Sequence, residues 1–210
     1  MVQNKIKLGR PPSFEREAAL AAATHLFWER GYDNVGLSDL EAATGLNRSS
    51  IYNTFGSKEA LFAEALRHYS MALADGMLQS LEQGSGGLDD LEAFLHALRR
   101  HLSTHAGKGC FMVNTMAAFQ DMPGDVADLA GAYVTRFLKA ARAALARAVT
   151  RGEIAEKDIG KDAEMLLGVV LGANLLARAR QPQRLVDGVL ESGLAHIRAG
   201  VASHRKPRKR

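Results

Sequence analysis

The stretch from Leu37 to Lys58, L-S-D-L-E-A-A-T-G-L-N-R-S-S-I-Y-N-T-F-G-S-K, constrains the fold more than any other part of the chain. It holds two helix start signals separated by one stop signal. Ser38 and Glu41 have the S-x-x-E spacing of a capping box, in which each side chain satisfies a free backbone N–H. Leu40 and Ala43 are predicted to face inward. Gly45 stands where a sharp turn needs a left-handed residue. Asn47 is a favoured cap for the next helix. Within that helix Ile51 and Phe55 lie one turn apart and share a buried face, while Arg48, Ser49, Tyr52 and Asn53 fall on an adjoining polar face. An apolar back and a polar front on the second of two short helices is a helix–turn–helix pattern, able to reach base edges and phosphates.

The remaining chain also reads as helix, giving an all-α fold of about nine helices. Ser13 starts the first, which runs to about Arg30 with Ala19, Ala22, Ala23, Leu26 and Phe27 as its apolar stripe. A helix from Ser57 through Phe62, Leu66 and Tyr69 is predicted to reach about Leu81, before a flexible break at 83–87. Leu88 to Leu102 forms the next, closed by Gly107-Lys108-Gly109. A short helix opens at Cys110. A long one runs from Pro123 to about Arg151, with Arg136, Lys139, Arg142 and Arg147 placed largely outside its inner face. The last two span Asp158 to about Ala179 and Pro182 to near Gly200. The expected divisions are a basic flexible arm (1–12), the helix–turn–helix domain (13–57), a larger helical domain (58–201) and a basic tail (202–210).

Charge is weak evidence for a nucleic-acid face. The net charge is +4, yet five basic groups sit within Arg205 to Arg210, so the case rests on particular residues. The single cysteine excludes an internal disulfide framework and fits a reducing cytoplasm. No secretory leader is seen. The nearly apolar run from Met165 to Ala177 is shorter than the roughly 20 residues of a membrane span, and no membrane partner is expected.

The motifs R-G-Y, G-L-S-D-L, T-G-L-N-R-S-S-I-Y-N-T-F and S-K-E-A-L-F together resemble the DNA-binding domain of TetR-family transcriptional regulators. They cover about the first third of the chain. The resemblance implies a homodimeric repressor that binds a palindromic double-stranded operator and is released by a small-molecule effector of unknown identity. By the same resemblance Arg48, Ser49 and Asn53 face base edges, and Ser50, Tyr52, Thr54 and Lys58 touch phosphate. Ser38 is a further phosphate candidate; from its basic residues the arm would add Arg10 as a DNA contact, with a solubilising tail as the alternative. Leu37 replaces the threonine that many relatives carry. The effector would sit among Phe94, Leu98, Cys110, Phe111, Asn114, Tyr133, Phe137 and Asn174. The last two long helices would pair with their copies in a second subunit. Gly168 and Gly172, with Leu185 and Val189, are the interface candidates, and internal packing is the alternative for the glycines.

G-C-F-M-V-N-T is similar to a G-C-x-x-x-N pattern in a branch of the family with cysteine-based sensors of electrophiles or oxidants. A cysteine at a helix N-terminus gains thiolate character. A buried free cysteine is also an ordinary small hydrophobe, and both readings of Cys110 stay open. His101 and His105 stand one turn apart, a possible metal-ligand spacing, but no carboxylate or second cysteine completes a motif. Neither a metal nor a cofactor is expected. An enzyme with a Cys110 nucleophile lacks an orienting third group. A sequence-tolerant DNA-packaging protein would use the arm and tail, with steeply salt-dependent binding.

Overall fold

The computed structural model describes residues 12–118, 121, 123–155 and 158–199. Among them are ten helices and no strand: α1 Pro12–Arg30, α2 Leu37–Thr44, α3 Arg48–Phe55, α4 Lys58–Met77, α5 Gln79–Gln83, α6 Leu88–Thr104, α7 Phe111–Ala118, α8 Gly124–Thr150, α9 Ile159–Arg178 and α10 Gln183–Ala199. No helix among the described residues is long and apolar enough to cross a membrane. Arg10 and the basic tail lie outside the described residues.

The chain divides into two compact units, the first ending at Tyr69. In the first, Ala19, Ala23 and Phe27 of α1, Leu40 of α2, Ile51 and Phe55 of α3, and Leu61 and Phe62 of α4 are all buried. Phe62 sets its ring edge-on to Phe27, with centroids 5.1 Å apart. Trp28 is buried against Tyr69, centroids also 5.1 Å apart. A buried phenylalanine of this kind contributes roughly 2 kcal/mol.

The caps differ from expectation at α2. Its cap is Gly36, not Ser38, and the side chain reaching back is that of Asp39, whose Oδ2 accepts from Gly36 N at 2.8 Å. Asp39 also pairs with Arg30 of α1 at 3.0 Å, which anchors this register. Glu41 is thereby free for another task, described below. Ser38 is exposed within the first turn, and Ala43 is exposed rather than inward. Gly45 ends α2 at φ 72° as the turn requires.

The second unit is built on α6, α8, α9 and α10. Phe94, Leu98, Phe137, Leu145, Leu166, Val170 and Leu190 belong to its core. Ala140, Ala141, Ala144 and Ala148 are almost wholly buried along α8, and their small size lets neighbouring backbones approach. The helix expected to run to Leu81 ends at Met77, and α5 is a separate turn, which accounts for the tenth helix. The glycine break after it is tied down. Asp90 Oδ2 accepts from Gly86 N and Gly87 N, each at 3.0 Å. It also accepts from Arg147 Nη2 at 2.9 Å, and that guanidinium donates on to Leu81 O at 2.8 Å. Arg147 is therefore not an outward residue. It is the counter-charge that lets a nearly buried carboxylate join α5, α6 and α8.

Candidate nucleic-acid interface and sensor site

Asn47 caps α3: its Oδ1 accepts from Ser50 N at 2.8 Å and from Ser49 Oγ at 2.7 Å. Glu41, left unused at the start of α2, accepts from Arg48 N at 2.6 Å. Two of the free N–H groups at the start of α3 are thus satisfied before any ligand arrives. Ile51 and Phe55 are buried beneath, and Gly56 ends the helix at φ 85°. Opposite that back, Arg48, Ser49, Tyr52 and Asn53 are exposed, while Ser50 and Thr54 are half-buried. The Arg48 guanidinium lies 5.9 Å from the Tyr52 ring centroid, a cation–π distance that favours one direction for a long side chain.

Lys58 begins α4 with its Nζ 4.1 Å from the Tyr32 ring centroid. Tyr32 in turn donates to Glu59 Oε1 at 2.7 Å, and burial with this bond pushes its phenol up to about 12. Tyr32 and Glu41 are the supporting residues that sequence reasoning missed. The R-G-Y tripeptide was a visible sign of the first. Nothing local marks the second, which acts across the turn.

In the second unit the predicted sensor residues fall into two groups. Phe94 and Phe137 pack with tilted rings, centroids 5.7 Å apart, with Leu98 one turn along α6, all in the core. Cys110 and Tyr133 come together separately. Asn114 N donates to Cys110 O at 2.9 Å, so Cys110 is the residue that leads into α7. The thiol is buried and hydrogen-bonds with the Tyr133 hydroxyl; enclosure of that hydroxyl first, and Cys110 second, raise the phenol above its usual range. Tyr133 as a whole is only half-buried; its hydroxyl end is the enclosed part. Phe111 is buried next to Cys110. Asn114 Nδ2 donates to Lys108 O at 2.7 Å and Asn174 Nδ2 to Val170 O at 2.8 Å. The Oδ1 atoms of both asparagines are buried without a hydrogen-bond partner, an arrangement that costs free energy unless a donor reaches them.

The His101 and His105 rings lie tilted against each other with centroids 4.5 Å apart, and no group of three metal-binding side chains occurs among the described residues. Burial, with His105 adding to it, lowers the His101 imidazole to about 4. An unfolded histidine titrates near 6.5. The unfolded chain therefore takes up this proton first, so the contribution is complete above about pH 6.5 and is lost as pH falls towards 4. The ring is partly in water, which reduces the effect to about 1–2 kcal/mol. Chemical unfolding of His101→Gln is expected to show a flatter loss of stability across this window than the parent. Parallel pH profiles would refute the assignment.

On α9, a Cβ added at Gly168 or Gly172 meets nothing within 4 Å, whereas one at Gly193 of α10 would strike Val169 at 2.9 Å. The tight internal crossing is at Gly193. Gly168 is exposed and Gly172 half-buried. Leu175 and Leu185 are exposed at 44% and 45%, so α9 and α10 present small and apolar side chains outward, with Val189 half-buried among them.

Residues 19–65 match the family of bacterial regulatory proteins, tetR family, and residues 87–192 match the tetracyclin repressor-like C-terminal domain. Each match falls within one of the two units. The chain belongs to the TetR family. This TetR-family protein is a DNA-binding transcriptional regulator and not an enzyme. It is 31% identical over 173 residues to the transcriptional repressor ComR of Escherichia coli K12, covering 81% of this chain and 82% of ComR. Its fold matches a cysteine-substituted variant of the TetR-family regulator CifR complexed with 26-base-pair operator DNA, with a TM-score of 0.74 and 29% identity over 89% of this chain and 98% of that one. It also matches the reduced form of E. coli NemR, with a TM-score of 0.71 and 27% identity over 90% and 97% of the two chains.

Proposed function

We propose that this TetR-family regulator is a cytoplasmic homodimeric repressor that binds a palindromic operator and releases it when a small molecule occupies the second unit. The observation that carries the reading is the α3 face: Arg48, Ser49 and Asn53 stand exposed on a helix whose back is buried and whose N-terminus is capped by Asn47 and Glu41. Arg48 would give a forked pair of bonds to guanine and Asn53 a pair to adenine. Ser50, Tyr52, Thr54, Lys58 and Ser38 would hold phosphates, which set orientation without reading sequence. Ser49 donates its proton to Asn47, so it would act at a base edge as an acceptor.

The open glycines and exposed leucines of α9 and α10 support pairing with a second copy. Two such heads would enter successive major grooves about 34–36 Å apart. An effector favouring a dimer of different spacing would release DNA by shifting populations. The unpaired Oδ1 atoms of Asn114 and Asn174 favour an effector that carries hydrogen-bond donors on an apolar frame.

The deciding test is binding to the DNA upstream of the protein's own gene against scrambled DNA, over a salt series. Selective binding with two subunits per site is expected. Equal affinity for both would move the protein to the packaging reading, and no binding to either at low salt would refute both.

A second reading has its own support. Cys110 leads into α7 beside Tyr133, and the relative NemR has been crystallised in a reduced form. Here oxidation or alkylation of Cys110 would be the signal. DNA release by a disulfide reagent, reversed by a thiol and absent in Cys110→Ser, is the expected result. Release that persists in Cys110→Ser would exclude it.

A further inference from the structure

Among the described residues Arg180 alone is a non-glycine with positive φ, at 54°. It follows Ala179 where the chain leaves α9. Arg180 N donates to Ala177 O at 3.1 Å and Gln181 N to Leu176 O at 3.0 Å, a tight helix ending in which glycine normally takes the left-handed position. Glycine does serve at the ends of α2 and α3. The turn therefore does not ask for arginine, and the reason for it lies in the side chain.

That side chain runs along Gly107. A Cβ at Gly107 would stand 3.1 Å from Arg180 Nε and 3.3 Å from its Cγ. Arg178 Nη1 donates to Gly107 O at 3.4 Å. At Gly109 a Cβ would meet Asn174 O at 3.0 Å, Asn114 Oδ1 at 3.1 Å and Arg178 Cβ at 3.3 Å. Gly107 and Gly109 have φ of 78° and 63°, so the loop meets the last turn of α9 as bare backbone. The same loop delivers Cys110, and its Lys108 carbonyl holds the Asn114 amide.

We infer that Arg178 and Arg180 form a clasp that holds the 105–109 loop shut against α9, and so keeps Cys110 out of water and Asn114 aimed into the sensor site. The inference rests on the placement of that site in the proposed function. Its regulatory content is that the loop leading to the sensor residues is fastened to one of the two helices offered for pairing. A molecule that displaces the loop would pull on the end of α9, and a change in α9 would loosen the loop.

The test is the rate at which a dithiobis-nitrobenzoate reagent modifies Cys110 in the full-length protein, read beside the thermal midpoint. In Arg180→Gly labelling is expected to accelerate on the order of 10-fold through local opening. Its thermal midpoint should be equal or higher, because glycine removes the positive-φ cost. Arg180→Lys keeps the stem over Gly107 without the guanidinium and should fall between. Arg178→Ala should accelerate labelling as well. Unchanged rates in Arg180→Gly and Arg178→Ala would overturn the clasp, as would an acceleration that merely follows a lowered midpoint. The readout involves no DNA, so failure of operator binding and failure of the clasp are separate results.

Discussion

Arg48→Ala is expected to weaken operator binding by about 30-fold or more while changing affinity for scrambled DNA only a few-fold. The first figure follows from roughly 1–3 kcal/mol for one forked contact to guanine, and a dimer makes the contact twice. The fold should survive, because Arg48 is exposed and its N–H bond to Glu41 belongs to the backbone, not to the side chain. Lys58→Gln provides the contrast. Loss of a phosphate contact should weaken all sequences alike and reduce the dependence of log affinity on log salt by about one per contact. Titration of labelled operator and scrambled duplexes at several salt concentrations separates the two. Equal losses on both duplexes for Arg48→Ala would remove it from the base-reading set.

Gly87→Ala is expected to destabilise the second unit by about 2–5 kcal/mol, combining backbone strain with overpacking. Gly87 has φ 66°, and its new Cβ would lie 2.5 Å from Glu153 Oε2 and 2.8 Å from Ala148 Cα. The carboxylate could move, but the Ala148 contact is backbone in the buried last turn of α8 and cannot. Glu153 is also committed, since its Oε2 accepts from Leu88 N at 2.8 Å. For a chain of this size the loss corresponds to a thermal midpoint lower by about 5–15 °C. Gly131→Ala is the control. It lies within α8 with nothing within 4 Å and should stabilise by up to about 1 kcal/mol. Calorimetry that shows the same midpoint for Gly87→Ala and the parent would mean that the loop relaxes where the packing says it cannot.

The reading head was legible because its signals are local. Gly45, Asn47 and the Ile51–Phe55 spacing each act within one turn, so periodicity and capping rules reach them. The α2 cap shows where such rules stop. Gly36 with Asp39 and Ser38 with Glu41 offer the same spacing two residues apart, and local chemistry favours the serine. The choice is settled by Arg30, which pairs with Asp39, and by Arg48 N, which claims Glu41. Both are contacts between helices. Arg147 was misplaced for the same reason: its partner Asp90 is 57 residues away, and a charge on an alanine-rich helix looks solvated until the partner is found. The end of α4 at Met77 escaped because the following Leu78 and Leu81 continue an apolar pattern while the backbone turns. Of the sensor residues, the aromatic pair followed from helical spacing, whereas the meeting of Cys110 with Tyr133 depends on how α7 is set against α8.

The bond from Arg48 N to Glu41 has a kinetic consequence. With Asn47 and Glu41 both engaged at the start of α3, the head has already met the entropic cost of ordering its reading helix before DNA is near. Encounter then needs little local rearrangement, and association should proceed at similar rates on good and poor sites, set by charge and diffusion. Discrimination among sequences would be expressed in how long the protein stays, with residence time on the operator as the quantity that an effector has to shorten.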